Sequence, residues 1–467
     1  MNGTESYSPS NRIVVVAGVI AILLASLAMP LYSYTGVLLG ALGLGIVLAL
    51  ILNPYWLWMA LFLFLPFSVE LPNLVAAGTN LTFPTESFVP VVGVTILFAL
   101  LRTGKVKWTL SPLHLASGIF FAVAAASLLR SAVPIVTLKA LIRTMSYFLC
   151  GYVLTQVAIR KPSDLRPFFR FFVAANVGLV IYGFYTQFVE GVSIYQNIAH
   201  PFFQNHCIYA AWLCFPAAFV LGALTQPIAN RGRLMLFLVV VLAGIMLSFV
   251  RGSWLGLVGL GVYLVFRHRA FLNVRTFLAL AVLAIAAVAV VTILGLGEHF
   301  QDRWTNLFDR RYVTNESRID RWMAALSMWK TRPLFGFGLG TYPDLYSNFI
   351  YYIYAFERSI RMGAHSIYFE IMAELGLVGL AAYFFILTAF FKETRRMFAL
   401  ATHDPNMRAI AIGLESVMVV YLIHGIVNNL GPSDKIDIAF WATCGLAVSM
   451  RCYLEKRASE SSGLSQT

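Results

Sequence analysis

A histidine-serine pair, His365-Ser366, then nine residues, then Gly376-Leu377-Val378-Gly379, closes the polar stretch 297–365 and opens an apolar run. An imidazole at that boundary titrates near neutral pH and can exchange a proton with a bound group. Arg251 lies between two apolar runs, in Ser248-Phe-Val-Arg-Gly-Ser-Trp-Leu255. An ionised side chain at membrane depth costs roughly 2.5–3.5 kcal/mol unless it is paired. The ordinary reading is an arginine snorkelling from a helix end. The Gly252-Ser253 that follows lets backbone and ligand come close, which favours a functional arginine. Lys139 and Arg143 are four apart and share a helix face, with Arg130 just before their segment. Such a group attracts phosphate, although two snorkelling cations and an interfacial anchor account for it equally well. Arg318 and Arg321 stand one turn apart in Asn315-Glu-Ser317-Arg-Ile-Asp320-Arg-Trp-Met-Ala-Ala-Leu-Ser-Met-Trp329. They read as an anion clamp or as the solvated face of an interfacial helix.

The elements that position these residues follow from composition. Hydrophobic residues make up 59% and charged residues 12%, about half the charged share of a soluble chain. Apolar runs near 13–29, 34–52, 55–69, 87–101, 112–129, 134–158, 167–189, 201–224, 233–250, 252–266, 276–296, 366–391, 409–429 and 436–452 recur along the length. A segment of about 17–25 apolar residues spans a bilayer. The runs are continuous rather than alternating, which excludes a membrane β-barrel. The expected fold is an all-α polytopic integral membrane protein with about twelve spans, an even number between twelve and fourteen, and one large outer loop. The first run lacks a credible small-residue cleavage site and reads as a retained span.

Lys and Arg concentrate in alternate short loops, at 102–107, 160–170, 231–233, 267–275, 392–396 and 451–457. The positive-inside rule makes these cytoplasmic, together with both termini. The loops 70–86, 130–133, 190–200, 297–365 and 430–435, and the turn at Arg251, then face outward. The net charge of +13 is this topology signal rather than a nucleic-acid surface. Five cysteines, Cys150, Cys207, Cys214, Cys444 and Cys452, carry no metal spacing and read as free apolar thiols. No Asp-x-Asp pair or phosphate-binding loop is present, so no metal and no cofactor are expected.

Within 297–365, Ser317 and Asp320 resemble a capping pair. Ile319, Trp322, Met323, Leu326 and Trp329 make an apolar stripe at helical spacing. Pro333-Leu-Phe-Gly336-Phe-Gly338-Leu-Gly340 predicts a tight turn. The tyrosines from Tyr342 to Tyr354 read mostly as interfacial rings, with sugar stacking as the alternative. His206 and His424, with Asn428 and Asn429 nearby, more often mean helix-to-helix hydrogen bonds than chemistry. Glu70, Glu86 and Glu190 are candidate partners for the arginines.

Taken in order, these motifs make the segment from about 200 to 430 resemble the core shared by O-antigen ligases and O-antigen polymerases. Two spacings resemble the ligase branch. One is Arg251 followed by Leu255. The other is His365, Ser366, Gly376 and Gly379. The resemblance implies 1–200 as an N-terminal transmembrane bundle, 201–435 as the core with its periplasmic loop, and 436–467 as a last helix and cytoplasmic tail. It implies a bacterial inner-membrane glycosyltransferase of the lipid-linked-sugar type, inverting and metal-independent. The donor would be O-antigen polysaccharide on undecaprenyl pyrophosphate, and the acceptor a sugar hydroxyl of lipid A–core oligosaccharide. Arg251 and His365 would be catalytic; Arg318, Arg321, Arg143, Lys139, Ser366 and Arg130 would bind substrate. A polymerase, a protein O-oligosaccharyltransferase or, from another class, a transporter are the competing readings.

Overall fold

The computed structural model describes residues 54–75, 79–103, 111–190, 198–203, 205–268, 305, 313–350, 361–431 and 433–464. The expected spans 13–29, 34–52 and 276–296, and the tyrosines beyond 350, lie outside the described residues. The remaining expected spans are helices. They are α1 (Pro54–Phe64), α2 (Thr85–Thr103), α3 (Pro112–Ser127), α4 (Pro134–Phe148) and α5 (Leu165–Phe188), then α6 (His206–Ala223), α7 (Arg231–Leu247) and α8 (Arg251–His268). After them come α9 (Val313–Thr331), α10 (Ile367–Leu400), α11 (Pro405–Val427) and α12 (Asp434–Leu464). Helix α4 runs on through one π-helical turn, Leu149–Val153, into Leu154–Ala158. The segments containing α3, α5, α6, α10 and α11 are each long and apolar enough to cross a membrane. The chain is a multi-pass, mainly helical membrane protein.

Two features depart from the expected elements. Residues 69–83 form an antiparallel hairpin, β1 (Val69–Val75) with β2 (Thr79–Phe83), where a plain loop was expected. The segment alternates, as in Thr79-Asn-Leu-Thr-Phe83, and period two is the strand signal. Helix α9 begins at Val313, so Ser317 sits one turn inside it rather than at its cap. Its hydroxyl accepts a hydrogen bond from Arg321 Nη2 at 2.5 Å instead.

The core is a packed set of helices around α11. It lies against α6, α8 and α10, while α10 also meets α3, α9 and α12. Small residues set the closest approaches, as expected where lipid supplies no hydrophobic drive between helices. Gly252 and Gly256 of α8 face His424, Asn428 and Val420 of α11, and a side chain at Gly252 would collide with the first two. Two buried indoles are matched across helices: Trp212 Nε1 donates to Asn176 Oδ1 at 2.9 Å and Trp58 Nε1 to Thr155 Oγ1 at 2.8 Å. Cys150, Cys214 and Cys444 are buried free thiols, and Cys207 and Cys452 are partly buried ones.

Candidate functional site

Helix α10 carries the histidine motif and is broken. Gly376 has φ +65° inside it, so the helical ladder stops and restarts there. The Gly-rich segment satisfies the groups this releases. Phe337 N donates to Ala373 O at 3.1 Å and Gly338 N to Glu374 O at 2.8 Å. In return Leu377 N donates to Pro333 O at 2.9 Å and Val378 N to Leu334 O at 3.2 Å. Side chains at Gly336 and Gly376 would each run into the other segment's backbone. The two glycine motifs are therefore halves of one junction.

The first half of α10 holds the rest of the loop through two carboxylates. Glu374 accepts Gly340 N at 2.7 Å and Tyr342 N at 3.0 Å. Glu370 Oε2 accepts Ala364 N at 2.9 Å and Asn429 Nδ2 at 2.6 Å. Tyr342 OH in turn donates to Arg321 O at 2.8 Å. Tyr342 and Tyr346 stack on each other with centroids 5.4 Å apart and are buried in a small core with Ala324, Ala325 and Met328. These two rings are neither interfacial anchors nor an open sugar platform. The buried face of α9 is Arg321, Ala324, Ala325 and Met328, whereas Met323 of the apolar stripe is 55% exposed. Alanines let α9 sit close to its neighbours, and that choice turns Arg321 inward.

Two arginines of α9 approach the imidazole of His365, and a third arginine bonds to the same helix. Arg251 opens α8, is buried, and donates through Nη2 to Asn315 Oδ1 at 2.7 Å. Arg318 Nη2 approaches Asn428 Oδ1 at 3.5 Å. His365 lies beside the Asn428 side chain and within electrostatic reach of Arg321, Arg318 and His206. Burial, then the guanidinium groups of Arg321 and Arg318, then His206, hold its imidazole down to about 3, against the opposing effect of Asn428. The backbone is strained on both sides of the chamber. His365 has φ +50° and Phe249, two residues before Arg251, has φ +52°. Non-glycine residues in that region cost on the order of 1–3 kcal/mol and concentrate at functional sites.

The remaining expected site residues divide. Ser366 is buried at the N-cap of α10 and makes no side-chain cap bond. Arg143 is absent from the charges acting on His365 and acts instead on Glu86, Glu370, Glu374 and Asp437. Lys139 is exposed, so its shared face with Arg143 does not make a shared site. Arg130 is exposed as well, and its carbonyl accepts Arg332 Nη1 at 2.9 Å. The structure brings Arg318 and Arg321 to His365 and ties Arg251 to the same helix α9, while Arg143 lies among carboxylates and Lys139 and Arg130 are exposed.

Residues 236–384 match the family model described as O-Antigen ligase. This segment is similar to the O-antigen ligase family over less than half of the chain. It runs from within α7 to the middle of α10 and contains Arg251, Arg318, Arg321, His365, Gly376 and Gly379. An uncharacterized protein of Haemophilus influenzae is 26% identical over 176 residues, 36% of this chain. That match spans 43% of the Haemophilus protein's own length. His206, Asn428 and Asn429 lie outside the ligase segment yet complete its chamber. The sequence offered them only as intramembrane polar residues, a signal shared with ordinary helix contacts.

Proposed function

We propose that the protein is an O-antigen ligase of the bacterial inner membrane. It transfers O-antigen polysaccharide from undecaprenyl pyrophosphate to a sugar hydroxyl of lipid A–core oligosaccharide on the periplasmic side, with about twelve spans and both termini cytoplasmic. The observation that carries this reading is that Arg318 and Arg321 of α9 lie within electrostatic reach of His365, while the buried Arg251 donates to Asn315 of the same helix.

Cleavage of the anomeric C–O bond leaves negative charge on the departing pyrophosphate. Guanidinium groups fixed around it stabilise that charge as it develops, at no reorganisation cost during the reaction. Three arginines supply the positive charge, so the reaction runs without a divalent metal. The acceptor hydroxyl gives its proton to the neutral imidazole of His365 as its oxygen attacks the anomeric carbon. Attack opposite the leaving group inverts that centre. Both lipid-linked substrates enter sideways from the bilayer, and α9 covers the chamber.

An in vitro transfer assay tests the reading. Purified protein receives undecaprenyl pyrophosphate-linked glycan and lipid A–core with EDTA present, beside His365→Ala and Arg251→Ala. High-mass lipopolysaccharide from the wild type alone is the expected result. Elongated donor without lipid A–core would make the protein a polymerase. Transfer to a hydroxyl amino acid would make it a protein O-oligosaccharyltransferase. Flux of an untransformed substrate across vesicles would make it a transporter.

A further inference from the structure

A neutral imidazole works as a base only when its tautomer is fixed, so that one nitrogen keeps its proton and the other keeps its lone pair facing the substrate. A hydrogen-bond acceptor behind the ring usually does this, and the amide of an asparagine suffices. Three observations put one behind His365. Asn428 is 1% exposed and ends α11, where its own N–H bonds to His424 O at 3.1 Å, so its backbone is anchored. Its amide nitrogen lies against Gly252, where any larger residue would displace it. That contact turns Oδ1 to the other side, toward Arg318 and His365.

The third observation concerns the residues on either side of the pair. Glu370 Oε2 accepts Ala364 N at 2.9 Å and Asn429 Nδ2 at 2.6 Å. One carboxylate oxygen thus fastens the residue before His365 and the residue after Asn428. The two residues flank different helices, His365 before α10 and Asn428 after α11, 63 positions apart in the chain by their numbers. A single oxygen nevertheless sets their separation and supports the left-handed backbone at His365.

We propose that Asn428 is the positioning residue of His365, accepting its ring N–H to fix the tautomer, and that Glu370 keeps the pair in register. The proposal rests on the reading of His365 as the base of the transfer reaction. Among the described residues, the charged and titratable groups facing His365 are Arg318 and Arg321 from α9 and His206 from α6, and Glu370 of α10 accepts a hydrogen bond from the neighbouring Ala364 N.

The experiment uses the full chain in detergent with two independent readouts. The first is the 15N spectrum of histidine-labelled protein, with the His365 signals assigned through His365→Gln. Wild type should show one tautomer, and Asn428→Ala should show the average of two. The second is transfer kinetics. Asn428→Ala should lower kcat at least a hundredfold with donor KM within about threefold of wild type. Asn428→Asp should recover part of that kcat and move the acid limb of kcat upward by a pH unit or more, since a carboxylate behind the ring favours imidazolium. Glu370→Gln, which keeps one carbonyl acceptor, should fall between wild type and Asn428→Ala. A mixed tautomer in wild type would overturn the proposal. So would an Asn428→Ala variant that raises donor KM with kcat intact, or an Asp variant as slow as Ala with an unmoved limb. A fixed tautomer in a wild type that transfers no glycan would instead overturn the ligase reading.

Discussion

The carbonyl of Leu334 fills the space in which a side chain on Gly376 would begin, and Gly376 reaches it by taking φ +65° inside α10. Substitution at this glycine meets two obstacles, a left-handed backbone and an occupied volume. Gly376→Ala is expected to destabilise the protein by about 2–4 kcal/mol and to abolish transfer, because the Gly-rich segment can no longer bond to the broken helix. Thermal unfolding in detergent measures this. An alanine variant with wild-type melting temperature and activity would remove the junction from the account of the site.

How much of this was legible in the sequence differs by element. Continuous apolar runs located the described helices to within a few residues at most ends, because burial in lipid and burial in protein both demand apolar side chains. The 366–391 run gave no sign of its break, since Gly is common in membrane helices; only its match with the glycines at 336–340 gives it meaning, and that pairing is long-range. Arg251, Arg318, Arg321 and His365 were readable from position and spacing. Arg143 and Lys139 were read together because they share a helix face. The periodicity could not tell which side of that face meets the carboxylates of α10 and α12. Asn428 and Glu370 were invisible as site residues because their contacts link segments far apart in the chain.

His365 has a left-handed backbone as well as its proposed role as base, and the two separate by substitution. His365→Ala should lower kcat by roughly 10²–10⁴-fold, the range for loss of a general base. His365→Gly should be as inactive yet at least as stable, because glycine takes φ +50° without penalty. Free imidazole added to the glycine variant should restore part of the rate. Activity of His365→Ala near wild type in the transfer assay would reduce His365 to a structural role.

The acid limb of the reaction should depend on the arginines. In the free protein the His365 imidazole is held at about 3 by burial and by Arg321 and Arg318. A bound pyrophosphate offsets those guanidinium charges, so the imidazole rises and becomes a better base once donor is present. With donor saturating, kcat/KM for the acceptor should fall on its acid side at a pH above 3, as His365 takes up a proton. Arg321→Gln removes a cation that disfavours imidazolium, so its limb should move to higher pH. A limb at the same pH in wild type and Arg321→Gln would show that His365 does not set it.

Glu374 bears on stability rather than on chemistry. Its carboxylate accepts two backbone N–H groups, from Gly340 and Tyr342. Glu374→Ala leaves both buried donors without an acceptor, at about 1–3 kcal/mol each. The expected loss of about 2–5 kcal/mol should appear as a lower melting temperature, and Glu374→Gln should recover part of it. An unchanged melting temperature in the alanine variant would mean that solvent reaches these donors.

Lys139 and Arg143 test whether phosphate-seeking cations are recognised by spacing or by surroundings. Lys139 is exposed, and Lys139→Ala should leave melting temperature and both KM values unchanged. Arg143 is partly buried and lies within electrostatic reach of Glu86, Glu370, Glu374 and Asp437. Removing it leaves several carboxylates facing one another. Arg143→Ala should therefore cost about 1–3 kcal/mol, discounted for its partial exposure. Donor KM should follow only as far as Glu370 is disturbed. A rise of tenfold or more in donor KM at unchanged melting temperature would place Arg143 on the pyrophosphate and extend the chamber toward α4.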